Sequence, residues 1–207
     1  MRHIALLAAF LLLSVYALAG PMNFVEHNFS VEMPSGWSTI SPAPRDALLA
    51  VQSPGKTQKF LVFASKTQSL VHPDAGREVR NDTKDKMTKI GYKMDPDQDI
   101  TLGGVPFVSF VAHLPSGGSA ITVYTAKAGD QVYMLQAISM GSDAAGEAQL
   151  QAAVQSFKLL HPVDAPAAPS PLAHASGTMT FVRVFLGGMV IIAAVMLFRR
   201  LALTRRK

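Results

Sequence analysis

Asp95, Asp97 and Asp99 alternate in the stretch DPDQD. This 1-3-5 spacing is that of a calcium loop, where several carboxylate oxygens surround a hard cation. The rest of the loop pattern fails. Ile100 stands where the tight turn needs glycine, and Pro106 where a bidentate glutamate closes the loop. Pro96 interrupts the run. The three aspartates are metal candidates by spacing alone, and the plainer expectation is a solvated acidic loop ahead of a strand. Beyond the first twenty residues, His27, His72, His113, His161 and His174 form no i,i+2 or i,i+4 pair. Zinc needs three or four ligands brought together. Met22, Met33, Met87, Met94, Met134 and Met140 show no Met-x-Met clustering, so core packing accounts for them better than copper.

Covalent catalysis finds no better footing. A serine elbow needs Gly-x-Ser-x-Gly, which does not occur. Ser116 and Ser119 sit in PSGGSA, a turn between strands, and no buried aspartate is expected to orient nearby His113. The glycines of LGG and SGGS lack the strand–loop–helix setting of a phosphate cradle. The chain has no cysteine, which excludes disulfides, thiolate metal sites and a cysteine nucleophile. The expectation is a protein without catalytic residues or cofactor.

The formal charge of +5 is unevenly placed. Between Gly20 and Thr178, 12 Lys and Arg face all 14 acidic residues, a net charge of −2. The other seven basic residues lie at the two ends. A nucleic-acid footprint belongs on the folded domain, so nucleic acid is rejected as a partner.

The ends read as targeting and anchoring segments. In residues 1–19, Arg2 and His3 precede an apolar run from Ile4 to Leu13. Ala17 and Ala19 then give the small-x-small pattern of a signal peptidase site, with cleavage after Ala19. Residues 162–177 are a Pro/Ala-rich linker, which makes a semi-extended spacer. Residues 178–198 are expected to cross a membrane. Phe181 to Phe198 is 18 residues, about 27 Å as a helix, close to the hydrocarbon thickness of roughly 30 Å. Arg183, near its start, can snorkel to the interface. Residues 199–207 begin with Arg199 and Arg200 and hold five basic residues in nine. The positive-inside rule places this tail in the cytoplasm and residues 20–161 outside. The plan is a single-pass protein of the cell membrane, with the lipid bilayer as one partner.

Residues 20–161 must then form the domain. FSVEM alternates like a half-buried strand, and PSGW turns with Gly36. ALLAVQ and KFLVFAS are joined by SPGK as an antiparallel pair. Val79, Thr83, Met87 and Ile90 recur at helical spacing, with Asp74 as N-cap and Gly91 just past the end. QDITLGG, VPFVSFVAHL, SAITVYTAKA and QVYMLQAISM, separated by short turns, read as an antiparallel meander. A last helix, capped by Ser142 or Asp143, turns Leu150, Ala153, Val154 and Phe157 inward. The expected class is α+β, an antiparallel sheet of about six strands flanked by helices.

This pattern resembles the PsbP-like fold. The resemblance rests on F-x-V-x-M-P-x-G-W at Phe29–Trp37, the mid-chain amphipathic helix, LGGVPFVSF leading into the meander, and a closing helix that runs into SFKLL. It implies an α/β/α sandwich with docking or assembly functions, as in photosystem II extrinsic proteins and the yeast Ran-binding import regulator. No catalytic residues carry over. The expected function is an accessory or assembly factor for a membrane complex, binding an envelope protein partner. The binding surface would be the sheet face with Val111 and His113, or the charged helix face with Arg77, Arg80, Lys84, Lys86 and Lys89. The alternative is a small-ligand or metal-ion sensor with a pocket between sheet and helices.

Overall fold

Gly103 and Gly104 adopt φ values of 53° and 81°, the left-handed pair that a two-residue type I′ hairpin demands. They join β7 (Gln98–Leu102) to β8 (Val105–His113), which pair antiparallel. β9 (Ser119–Ala128) and β10 (Gln131–Met140) continue the meander. The computed structural model describes residues 20–66 and 75–163. The expected leader with Ala17 and Ala19, the cap Asp74, and the segment from Phe181 and Arg183 to Phe198, Arg199 and Arg200 lie outside them. Among the described residues no helix is long and apolar enough to cross a membrane.

The meander is half of a larger sheet. β10 also pairs antiparallel with β5 (Gln58–Lys66), which pairs with β4 (Leu49–Gln52), which pairs with β3 (Ser38–Thr39). At the far side β6 (Lys93–Met94) and β7 both pair with β8. The sheet therefore has eight strands rather than about six. The two short strands at its margins, β3 and β6, are too brief to carry a hydrophobic period.

Phe29–Glu32 is indeed a strand, but it lies outside this sheet. It is β2, the centre of a second sheet between β1 (Pro21–Phe24) and β11 (Lys158–Leu159). The SFKLL segment is thus a strand, and the closing helix, α2 (Ala144–Gln155), ends before it. Asp143 caps α2, its side chain accepting from the Gly146 N–H at 3.0 Å. Asn28, in the left-handed region, locks the two ends together. Its Oδ1 accepts from the His161 N–H at 2.8 Å, and its Nδ2 donates to the His161 carbonyl at 3.0 Å.

Both sheet faces are filled. On one, α2 and the small sheet bury Phe29, Trp37, Phe60, Phe107, Tyr133, Leu150, Val154 and Phe157. On the other, α1 (Ala75–Lys89) covers Leu61, Phe63, Phe110, Val123, Met134 and Ile138 with Val79 and Met87. Alternation along β10 sends Tyr133 and Leu135 to the first layer and Met134 and Ile138 to the second. Each fully buried side chain of this size contributes roughly 1.5–3 kcal/mol. Trp37 plugs the first layer, its Nε1 donating to Gln149 Oε1 at 2.9 Å.

Ile90 departs from the helical pattern and is 51% exposed. The Gly91 N–H bonds the Thr88 carbonyl and the Tyr92 N–H the Met87 carbonyl, the Schellman closure of a helix end. That turn sends Tyr92 under the helix in place of Ile90.

The tyrosines of the described residues predict an alkaline limit. Burial, then Asp130, pushes the Tyr133 hydroxyl up to about 12. Burial also raises Tyr92, and burial followed by Glu147 raises Tyr124. An unfolded tyrosine ionises near 10. Above that pH the unfolded chain sheds protons that the folded one keeps, so stability falls. Urea midpoints should be flat from pH 7 to 9 and decline between pH 10 and 12, together with the phenolate absorbance.

Candidate docking surface

The DPDQD aspartates do not converge. Asp95 Oδ2 lies 3.0 Å from His113 Nε2. Asp97 takes Lys84 Nζ at 2.6 Å and Arg80 Nε at 3.3 Å. The Arg80 contact is ionic only, since that N–H finds no aligned acceptor. Asp99 sits on β7 opposite Val108. Among the described residues no three His, Cys, Asp or Glu side chains are grouped to hold a metal. The stretch is instead the outer margin of the large sheet, where β6 passes into β7. Pro96 removes a backbone donor there and the aspartates add charge, both devices that blunt an exposed edge.

Asp97 also ties that margin to α1. Replacing it by asparagine should cost about 1 kcal/mol or less, as for a partly exposed ion pair. The cost should shrink in 1 M salt, read as the difference in urea midpoint between the two chains.

The charged face of α1 is largely satisfied within the domain. Lys86 Nζ pairs with Asp82 at 3.0 Å, one helical turn away. Lys84 lies 5.3 Å above the centre of the Phe110 ring, as well as on Asp97. Arg77 and Glu78 also have partners. Of these cations, Arg80 and Lys84 brace the helix against the sheet margin through Asp97.

The surface around Val111 and His113 is different. Val111 is half-buried and His113 exposed, at the end of β8. Thr122 and Tyr124 of β9 lie beside them, on the side of the sheet that α2 covers. There Gln151 Nε2 donates to Glu147 Oε1 at 3.1 Å. Tyr124 lies beside Glu147, Gln151 and Thr122. The resulting shelf has a polar helix wall and a mixed floor. It opens at the strand ends into a shallow depression lined by His113, Gly117, Gly118, Ser119, Ser139 and Gly141.

Sequence reasoning supplied no aspartate for His113, and Asp95 is that partner. The pair depends on the β6–β8 register, Lys93 opposite His113, across 18 residues. Both groups are about half exposed, 46% and 52%. Water therefore screens the pair, unlike the dry carboxylate that orients a catalytic histidine.

No protein-family model matches the chain, and no curated protein matches it in sequence. Solved structures match it in fold. The cyanobacterial PsbP, CyanoP, of Synechocystis sp. PCC 6803 superposes with a TM-score of 0.51. The match covers 68% of this chain and 91% of that one, at 10% identity. The fold is PsbP-like. A single-residue mutant of Mog1 matches with a TM-score of 0.45 at 12% identity, over 68% of this chain and 95% of its own. LpqN, described as involved in cell envelope biogenesis of Mycobacterium tuberculosis, matches at 0.43 and 14% identity, over 68% and 89%. The PsbP-like fold expected from F-x-V-x-M-P-x-G-W and LGGVPFVSF is thus the fold observed.

Proposed function

We propose that this chain is a membrane-anchored extracytoplasmic docking domain, an accessory or assembly factor that binds a protein partner in the cell envelope without catalysing a reaction. The carrying observation is the filled interior. Both sheet faces are packed with side chains, so the space between sheet and helices is core. The shelf and depression around Val111 and His113 open outward, as a protein-binding surface does. The sequence plan adds weight: β1 begins two residues after Ala19, and β11, the last strand, ends at Leu159, just ahead of the Pro/Ala-rich linker.

The test is in-cell cross-linking of the tagged full-length chain, followed by mass spectrometry of the membrane fraction. The control is a soluble form ending at Val163, so that the His161 clamp is kept. A specific membrane complex lost in a Val111→Glu, His113→Glu variant that still folds supports the shelf. Capture of the same complex by that variant rejects it.

One observation favours a ligand-binding reading. His113, Asp95, Ser119 and Ser139 place polar groups around the depression. A ligand bound only by the folded state raises Tm by mass action. On the docking reading, calcium, zinc, copper and a metabolite panel at about 1 mM leave Tm unchanged within about 1 °C. A saturable rise for one compound would reverse the preference.

A further inference from the structure

We infer that the domain hangs end-on from the membrane, with the Val25 turn toward the lipid surface and the His113 depression pointing away. This rests on the proposed anchoring by residues 178–198. The chain's point of departure is fixed by the fold. β11 and β1 flank β2 and run in the same direction, so the C-terminal segment leaves beside the Val25–His27 turn. The Asn28 clamp on His161 holds it there. The next residue placed on the domain, Val163, packs over Gly129 in the β9–β10 turn.

The depression lies at the other end of the same strands. β10 runs from Gln131, at the departure end, to Met140, beside the depression. Ten residues of strand separate the two ends by roughly 30 Å. The spacer from residue 164 to 177 reaches roughly 43 Å at most as a polyproline helix. A domain suspended from one end by such a spacer keeps that end nearer the bilayer, because bringing the far end down requires the spacer to double back along the domain.

The surface at the departure end suits a lipid headgroup layer. Val25 is 71% exposed, the more exposed of the two large hydrophobics found outward among the described residues. Lys66 and Lys158 are exposed around the same end, but exposed Glu26 and Asp130 balance them, so it is the apolar tip at Val25, and not net charge, that suits this end to the headgroup layer. Ile90, the other exposed hydrophobic, follows α1 at the opposite end.

The chain has no cysteine, so single labels are clean. Full-length Val25→Cys and Ser142→Cys, each carrying a donor dye, would be reconstituted into phosphatidylcholine–phosphatidylglycerol vesicles with an acceptor on the headgroups. Ser142 is exposed beside Gly141 of the depression. Carbonate extraction comes first. Release from the vesicles overturns the anchor and the orientation with it. For a retained chain, energy transfer at least twofold higher from position 25 than from position 142 supports the end-on arrangement. Equal or reversed transfer overturns the orientation and leaves the anchor standing.

Discussion

Replacing Gly103 by alanine is expected to lower the Tm of the domain by roughly 10–15 °C. Two costs combine. The residue sits at φ 53°, where a Cβ costs roughly 1–2 kcal/mol. The turn also lies against the chain that links α2 to β11. A Cβ at Gly103 would come within 2.6 Å of the Lys158 Cα and also strike the Phe157 carbonyl. Those neighbours are backbone and cannot rotate aside, so overpacking adds about 1–3 kcal/mol. Gly104 is the control. Its φ is 81°, but nothing lies within 4 Å of the added carbon. Gly104→Ala should therefore cost about 1 kcal/mol, from conformation alone. Differential scanning calorimetry of the two variants separates the causes. Equal losses would mean that the turn geometry matters and the contact with Lys158 does not.

The Gly103 case marks where the sequence stops being readable. Two adjacent glycines between alternating strands announce a tight hairpin, and the hairpin is there. That the first of them supports a strand more than fifty residues later depends on packing, which leaves no local trace. β11 is hidden for the same reason. It is two residues long, and its partner is set by the small sheet and the Asn28 clamp 133 residues away. Strands β8 to β10 and both helices were legible because their apolar period persists over nine or more residues. Ile90 shows the limit of that signal, since its spacing continues the buried stripe while Gly91 has already turned the chain. DPDQD misleads in another way. A calcium loop and a charged edge strand both place carboxylates at alternate positions, and only the strand register tells them apart. Of the candidate surface, Val111 and His113 could be named from the β8 alternation, whereas Asp95 as the histidine's partner could not.

Phe157→Ala should produce the other large loss, about 3–5 kcal/mol for emptying an aromatic site in the core. Phe157 is fully buried. Its ring meets Phe107 edge-on at 5.2 Å and Tyr133 at 5.4 Å, and stacks with Phe29 at 5.7 Å. The loss should also be uneven. Phe157 is the residue before β11, and Phe29 belongs to β2, so the small sheet rests on the large one through these rings. The β8–β10 meander keeps its own hydrogen bonds and the whole α1 layer. Hydrogen exchange should therefore accelerate in residues 21–32 and 158–161 under conditions where 121–138 stay protected, the signature of local rather than global opening. On the proposed anchoring, the same opening would free residues 158–161, the segment from which that anchor would depart. Uniform acceleration across both sheets would show instead that the domain opens as one unit, and that the small sheet is no separate latch.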